Sequence, residues 1–343
     1  MQRENTVRAK LLDSQGNVAT PGYSKTYLLQ YDRKDIKASS FRIKEWDYYY
    51  INAGDKALCL TVADMGYVGA ISVSYLDFSL PYHFTRTAIS LLPMGKFNMP
   101  STPETGDVVV KVGKVEISIT NDGKERKIVG KYPKFSETKE DLTFDITLTD
   151  NPRECMFIAT PFDKPKHFYY NAKINCLSAS GKFSIGDKTI GVDGGMATLD
   201  WGRGVWTYDN TWYWGSMQTR LEDGSTFGFN IGYGFGNTDA ASENMIFYRG
   251  LSHKLDEVIF HIPGDGTDSI DYLKPWRFTS SDGRLEMDFY PILDRTAPLD
   301  LKFMCMLPHQ VFGKFSGKAV LDDGKVINFK DVLGFAEKVH NKW

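Results

Sequence analysis

The sequence predicts an all-β protein of mostly antiparallel strands, and two patterns support this. From Leu142 to Leu148 every second residue is a large aliphatic or aromatic one, which is typical of a half-buried strand. Asp-Gly pairs, the strongest short-range hairpin signal, separate several strand-like runs. They stand at Asp122-Gly123, Asp223-Gly224, Asp282-Gly283 and Asp323-Gly324. A chain with so many strands protects their edges by closing them into barrels or packing them as sandwiches.

Further strand-like runs cover both halves of the chain. They are Asp47–Asn52, Lys56–Ala63, Tyr67–Asp77, Val108–Thr120, Thr226–Phe235, Val258–Ile262 and Leu285–Tyr290. Helical periodicity is scarce, and only Lys330–His340 favours a short C-terminal helix. Prolines interrupt residues 151–153 and 160–166 just before an aromatic block. We therefore expect two domains, residues 1–165 and 166–343.

Composition and charge restrict the class of protein. The chain has 343 residues, of which 42% are hydrophobic and 24% charged, as in soluble globular proteins. The formal net charge is −2 and no basic stripe is present, so we expect no nucleic-acid partner. No apolar run reaches membrane-spanning length, and the N-terminus lacks the apolar core of a signal peptide. We expect no membrane segment.

The cysteines indicate a reducing compartment. Cys59, Cys155, Cys176 and Cys305 are far apart, and none belongs to a CxxC pair. We expect four reduced thiols in a cytoplasmic protein. No histidines stand at zinc spacing and no glycine-rich loop is built to hold phosphate, so neither a metal nor a cofactor is expected.

A tryptophan-rich block is the main functional signal. Trp201, Trp206, Trp212 and Trp214 fall within a short stretch that also holds Asp200 and Arg203. An aromatic pocket with a few ionisable groups is typical of a site for a mostly apolar small molecule. The alternative is a β-sheet core of aromatic residues with salt-bridged charges. Trp212 and Trp214 share a strand face in either case.

One strand carries an aromatic face and a glycine face. Within 226–236, Phe229 and Tyr233 lie on the aromatic side, while glycines and Asn230 occupy the other. A glycine face allows close approach of a ligand or of another sheet. The glycine spacing lacks the pattern and the following helix of a dinucleotide site.

The block resembles the calycin-like family that contains the carotenoid 1,2-hydratases. The similar elements are the paired tyrosines Tyr169-Tyr170, the hairpin 181–186, the Asp-Trp-Gly element 200–202 and the strand 212–214. The whole chain more closely resembles the bacterial domain-of-unknown-function family 2804, through stretches such as 44–49, 242–245, 253–255, 309–313 and the C-terminus. The chain departs from the hydratase pattern at Gly202–Val205, where acidic residues are expected.

The resemblance implies two consecutive lipocalin-like β-barrels with a pocket in or between them. It assigns no single activity, because the wider group is similar to isoprenoid hydratases, to cofactor-free cyclases and to lipid carriers.

Adding water to an alkene, or cyclising it, requires a protonated carboxylic acid and aromatic faces that stabilise a carbocation. Asp200 is the candidate acid, with Arg203 and His253 as catalytic partners. An ion pair with Arg203 would instead lower the pKa of Asp200 and remove the acid. Arg203 also fits as a clamp for a carboxylate or phosphate head group.

The candidate ligand-binding residues are Tyr169, Trp201, Trp206, Trp212, Trp214, Phe229, Tyr233 and His309. His253 and His309 match motifs of the resembling family, although a lone histidine in a β protein is more often structural. The predicted partner is an apolar isoprenoid or lipid-like molecule. Two functions remain open: a cofactor-independent enzyme that acts on an alkene, and a non-catalytic carrier or sensor.

Overall fold

The computed structural model describes residues 2–342 except 268, 298, 302 and 303, and it describes no side chain of 299–301 or 304. Within these residues the chain is all β apart from two single-turn 3-10 helices, Arg33–Asp35 and Ser40–Arg42. The predicted fold class is confirmed. No helix in the described part of the chain is long and apolar enough to cross a membrane.

The strands are numbered in chain order. They are β1 (Ala9–Lys10), β2 (Gly22–Ser24), β3 (Leu29–Gln30), β4 (Ile43–Ala53), β5 (Lys56–Asp64), β6 (Val68–Asp77), β7 (Tyr82–Leu91), β8 (Val108–Val112), β9 (Val115–Asn121), β10 (Arg126–Tyr132), β11 (Leu142–Thr149), β12 (Met156–Pro161), β13 (Phe168–Ile185), β14 (Lys188–Gly191), β15 (Gly195–Val205), β16 (Asp209–Arg220), β17 (Thr226–Tyr233), β18 (Met245–Tyr248), β19 (Leu251–Lys254), β20 (Val258–His261), β21 (Trp276–Ser280), β22 (Leu285–Thr296), β23 (Leu299–Leu301), β24 (Met304–Val320) and β25 (Val326–Lys342).

The first large sheet is a nearly closed barrel. Its main path runs β7-β6-β5-β4-β15-β13-β11-β10-β9-β8, and its end strands β7 and β8 approach each other. Strands β12 and β14 also pair with β13, and β2 pairs with β12. The short pair β1 and β3 forms a separate parallel sheet.

The second large sheet is a half-barrel. Its path runs β19-β18-β17-β16-β25-β24-β22-β21-β20, with β23 beside β24. The first sheet includes strands up to Val205 and the second begins at Asp209. The domain division at residue 165 stays a prediction.

The Asp-Gly turns are confirmed as hairpin turns. They connect β9 to β10, β16 to β17, β21 to β22 and β24 to β25, and each pair of strands is antiparallel. The glycines of these turns have φ between 69° and 91°, a region that costs glycine no strain. They are Gly123, Gly224, Gly283 and Gly324.

The predicted C-terminal helix is wrong. Residues 330–340 belong to β25, which pairs with β24 along its length and with β16 from Gly334 to Lys342. Buried Phe335, Glu337 and Val339 are spaced by two and lie in the interior of the sheet, so tertiary pairing overrides a weak helical pattern.

The strands at the centre of the first sheet are buried on both faces. In β4, Tyr49 and Ile51 point into the barrel, whereas Trp46, Tyr48 and Tyr50 point toward the second sheet. The same alternation holds along β13 and β15. The two sheets therefore pack through one layer of side chains, and the candidate site lies in that layer.

Candidate active site between the two sheets

A cavity of about 170 Å³ opens between the two sheets. Its polar walls are two rows of residues that are direct neighbours across adjacent strands. The first-sheet row is Lys173, Asp200, Tyr48 and Thr61, on β13, β15, β4 and β5. The second-sheet row is Trp214, Glu337, Gln310 and Arg295, on β16, β25, β24 and β22. All eight residues line the cavity.

In the first-sheet row, Asp200 is surrounded by donors. Lys173 Nζ lies 3.1 Å from Asp200 Oδ1, and both side chains are buried. Asn171 Nδ2 donates to the same oxygen at 2.6 Å, and Trp46 Nε1 donates to Oδ2 at 3.2 Å. The ammonium of Lys173 also lies 3.8 Å from the centre of the Trp214 ring, which joins the two walls by a cation–π contact.

In the second-sheet row, the hydrogen-bond donors to Glu337 among the described residues are neutral. Trp212 Nε1 donates to its Oε1 at 2.9 Å and Gln310 Nε2 to its Oε2 at 2.8 Å. Burial raises the pKa of Glu337 from 4.5 to about 7, even though these donors, Arg295 and Lys173 act in the opposite direction. Glu337 therefore carries a proton for much of the time near neutral pH.

A third carboxyl group completes the ionisable set. Glu243 lies on the loop after β17, and its Oε2 is 3.9 Å from Lys173 Nζ. Burial raises the pKa of Glu243 as well, against the attraction of Lys173. Asn230 Nδ2 donates to the Glu243 backbone oxygen at 2.8 Å, which fixes the loop against β17.

Aromatic rings form the remaining walls. The Trp206 ring packs edge to face against Trp46 and against Phe235, with ring centroids 4.9 Å and 4.8 Å apart. Tyr169 stacks on Trp46 at 6.1 Å, and Trp212 packs on Trp206 at the same distance. Burial raises the pKa of the Tyr169 hydroxyl well above its usual value, so this hydroxyl stays protonated.

Gly202 makes the position of Trp46 possible. It lies opposite Trp46 in the β4–β15 ladder, and an added Cβ would come within 1.9 Å of the indole ring. Gly202, at the start of the segment that departs from the hydratase pattern, thus leaves the space that the indole ring of Trp46 occupies.

The cavity contains five of the residues expected from the sequence: Asp200, Tyr169, Trp206, Trp212 and Trp214. Trp201 and Arg203 lie on the opposite face of β15, inside the first barrel. Arg203 is not the partner of Asp200: its Nη1 lies 3.0 Å from Asp47 Oδ1. Strand alternation separates the two residues, because positions that differ by three point to opposite faces.

The other four expected residues lie elsewhere. Phe229 and Tyr233 pack in the core of the half-barrel. His253 Nδ1 is 3.1 Å from Asp322 Oδ2, and His309 Nδ1 is 2.6 Å from Asp294 Oδ2, so both histidines are tied to carboxylates outside the cavity. The glycine face of β17 packs against the first sheet: a Cβ at Gly228 would lie 3.1 Å from Cys176 Sγ.

Sequence reasoning missed Glu337, Lys173, Glu243, Gln310 and Arg295. They lie outside the short stretch of four tryptophans: Lys173 is on β13, Glu243 is on the loop after β17, and the other three are on β22, β24 and β25. Only period-two alternation in β25, with Glu337 between the buried Phe335 and Val339, marks one of them as an acid on an inward face. No cluster of three His, Cys, Asp or Glu residues in the described structure is arranged to hold a metal ion. The four cysteines are free thiols.

These features define an all-β protein of two curled antiparallel sheets with an aromatic, carboxyl-bearing cavity between them. The chain belongs to the family described as a domain of unknown function, DUF2804, whose profile matches residues 2–343. The resemblance of the whole sequence to this family is thereby confirmed. No curated protein matches the chain.

Solved structures share the fold at low sequence identity. A putative AttH from Nitrosomonas europaea has a TM-score of 0.55 and 15% identity, over 90% of this chain and 96% of that one. Kievitone hydratase from Nectria haematococca has a TM-score of 0.52 and 13% identity, over 98% of both chains. CghA, solved with Sch210972, has a TM-score of 0.53 and 10% identity, over 97% of both chains.

Proposed function

We propose that this protein binds a small apolar, unsaturated molecule of isoprenoid or lipid-like character between its two sheets. Glu337 then protonates an alkene of that molecule without a cofactor, which leads to hydration, cyclisation or isomerisation. The observation that carries the proposal is a buried carboxyl group, with its pKa raised to about 7, on the wall of an aromatic cavity. A general acid works best when its pKa lies near the working pH.

Within the described residues, the hydrogen bonds of Glu337 leave its proton without a protein acceptor. Each carboxyl oxygen accepts one bond from a protein donor, Trp212 or Gln310. Among the described residues no protein acceptor takes a hydrogen bond from this carboxyl group. A proton on either oxygen is therefore available to a molecule in the cavity.

The aromatic walls suit the cation that protonation would create. Indole faces attract positive charge, and the ammonium of Lys173 already lies over the ring of Trp214. Trp46, Trp206 and Trp212 offer further rings around the same space. After the proton transfer, the carboxylate left on Glu337 adds negative potential beside the cation.

The size of the cavity limits what can be enclosed. A space of about 170 Å³ compares with the roughly 150 Å³ that holds one benzene ring in other proteins. It accommodates one ring or one isoprene unit, with the rest of a longer molecule outside. The shared fold with kievitone hydratase, whose name denotes a hydratase, is compatible with this chemistry.

The test is hydration of the trisubstituted alkenes of isoprenoids such as geraniol, in ¹⁸O-labelled water. The wild-type protein should produce labelled alcohols detectable by mass spectrometry. Glu337→Gln should slow this reaction about a hundredfold or more while calorimetric binding of geraniol stays within a few fold. Glu286→Gln, at an exposed pair with Lys318, is the matched control. An unchanged rate in Glu337→Gln would exclude Glu337 as the acid.

A non-catalytic carrier or sensor is the second candidate. The donors around Asp200 favour it, because the carboxylate is already tied to Lys173, Asn171 and Trp46. In that case geraniol binds to the wild-type protein but no labelled product forms. The free thiols accord with a cytoplasmic location for either function.

A further inference from the structure

We infer that the molecule bound in the cavity carries a carboxylate or a comparable oxyanion, and that Arg295 binds it. This inference rests on the proposed function, because it names the chemical class of that ligand. It assigns the head-group role, which the sequence placed at Arg203, to a different arginine.

Arg295 lies at the end of the second-sheet row. It is the direct neighbour of Gln310, which in turn is the direct neighbour of Glu337. Two strand spacings, about 10 Å, separate the backbones of Arg295 and Glu337. Both side chains line the same cavity, so one molecule can contact both.

Some N–H donors of the Arg295 guanidinium have no acceptor among the described residues. Its Nη1 donates to Ser74 Oγ at 2.7 Å, and its Cζ lies 6.0 Å from the centre of the Tyr48 ring. Across the described residues, no carboxylate lies within ion-pair distance and no other acceptor binds its Nε or Nη2. These two atoms form the planar edge that matches a carboxylate with two parallel hydrogen bonds.

The buried Arg203 provides a comparison, because each of the three nitrogens of its guanidinium donates at least one hydrogen bond. Its guanidinium bonds the backbone oxygens of Pro100, Trp46 and Gly202, together with Asp47. Arg203 therefore has little capacity for a ligand. Arg295 differs from it by facing a cavity with one edge unbound.

The groups around Arg295 do not neutralise its charge. Tyr48 and Cys59 remain protonated, because burial raises the pKa of each. His83 stays neutral at physiological pH, because burial and the charge of Arg295 lower its pKa. Asp294, beside Arg295 in sequence, binds His309 instead. Glu337 is the nearest acidic member of the row, and it is partly protonated near neutral pH.

The experiment compares phenylacetate with 2-phenylethanol, a neutral molecule of the same ring and similar length. Calorimetric titration at about pH 6, where Glu337 is mostly protonated and phenylacetate is ionised, should show that the wild-type protein binds phenylacetate about tenfold more tightly. Arg295→Gln should remove this preference and leave binding of 2-phenylethanol within about twofold. Arg295→Lys should retain part of it. Arg249→Gln, at an exposed arginine paired with Asp223, should keep the full preference.

The outcomes separate this inference from the proposed function. Equal binding of the two compounds by the wild-type protein, or a preference that survives Arg295→Gln, overturns the role of Arg295 and leaves the cavity function standing. Failure of both compounds to bind overturns the ligand cavity itself, and this inference with it. If Arg295→Gln fails to fold, the wild-type comparison and Arg295→Lys still decide the question.

Discussion

The two polar rows of the cavity have similar composition but different chemistry. The first-sheet row places Asp200 directly beside Lys173, at 3.1 Å. The second-sheet row places Glu337 between Trp214 and Gln310, with its cation Arg295 one strand further away. Both carboxyl groups are buried in the same layer of side chains.

This comparison shows that the neighbour across the strand, more than burial alone, decides the role of a buried carboxyl group. An adjacent ammonium favours a fixed carboxylate, which supports structure and electrostatic potential. Neutral donors leave the burial penalty uncompensated, and the pKa of Glu337 rises to about 7. The second row therefore holds the group suited to proton transfer.

The largest expected effect comes from breaking the first-sheet row. Lys173→Met leaves Asp200 buried without its cation, and we expect the free energy of unfolding in urea to fall by about 3–5 kcal/mol. The double variant Lys173→Met/Asp200→Asn should recover a good part of this loss. Lys111→Met removes the exposed pair with Glu116 and should leave stability within experimental error. A small loss in Lys173→Met would show that the ion pair with Asp200 does not stabilise the fold.

The pH dependence of stability tests the second-sheet row. The pKa of Glu337 is about 7 in the folded protein and about 4.5 in the unfolded chain. Between these pH values the folded protein binds a proton that the unfolded chain releases. Stability contributed by this group is complete below pH 4.5 and is lost as the pH rises to about 7.

Urea titrations at several pH values measure this effect. From pH 4.5 to about pH 7 we expect the free energy of unfolding of the wild-type protein to fall by up to about 3 kcal/mol more than that of Glu337→Gln. Parallel curves for the two proteins would contradict the raised pKa. The comparison between variants cancels His83 and His167, whose lowered pKa values act in the opposite direction.

A smaller effect follows from the contact between the aromatic wall and β15. Gly202→Ala forces the Trp46 indole to move and should lower stability by about 1–3 kcal/mol, together with weaker binding of geraniol. Gly191→Ala is the matched control, because an added Cβ there meets no atom within 4 Å. Equal melting temperatures for the two variants would show that Trp46 adapts without cost.

The smallest effect concerns one hydrogen bond of Glu337. Trp212→Phe removes a donor that favours the ionised form, so the pKa of Glu337 should rise further, by less than about one unit. Carbon-13 NMR of labelled glutamate carboxyl groups measures the midpoint. Trp214→Phe is the control, because its indole donates to Asn230 at 2.6 Å instead. A larger shift in Trp214→Phe would assign the control of Glu337 to the Lys173 side of the cavity.

Local patterns in the sequence determined the fold class and part of the site. Alternation and Asp-Gly turns are local properties, so many of the strands and the four Asp-Gly hairpins followed from neighbouring residues. The run 108–120, expected as one strand, is a hairpin of β8 and β9, and 330–340 is part of β25. Trp212 and Trp214 share a face for the same reason. The density of tryptophans pointed to a stretch of chain that lines the candidate cavity, since three of its four indoles lie there.

Tertiary structure alone decided which charges meet. Lys173, Glu243, Arg295, Gln310 and Glu337 come from separate strands and loops, and only the pairing order of the two sheets makes them neighbours. The same order separates Arg203 from Asp200 and gives it to Asp47. A sequence specifies which residues alternate along a strand, but the partner of a buried charge depends on strand register and on the packing of one sheet on another, which are non-local.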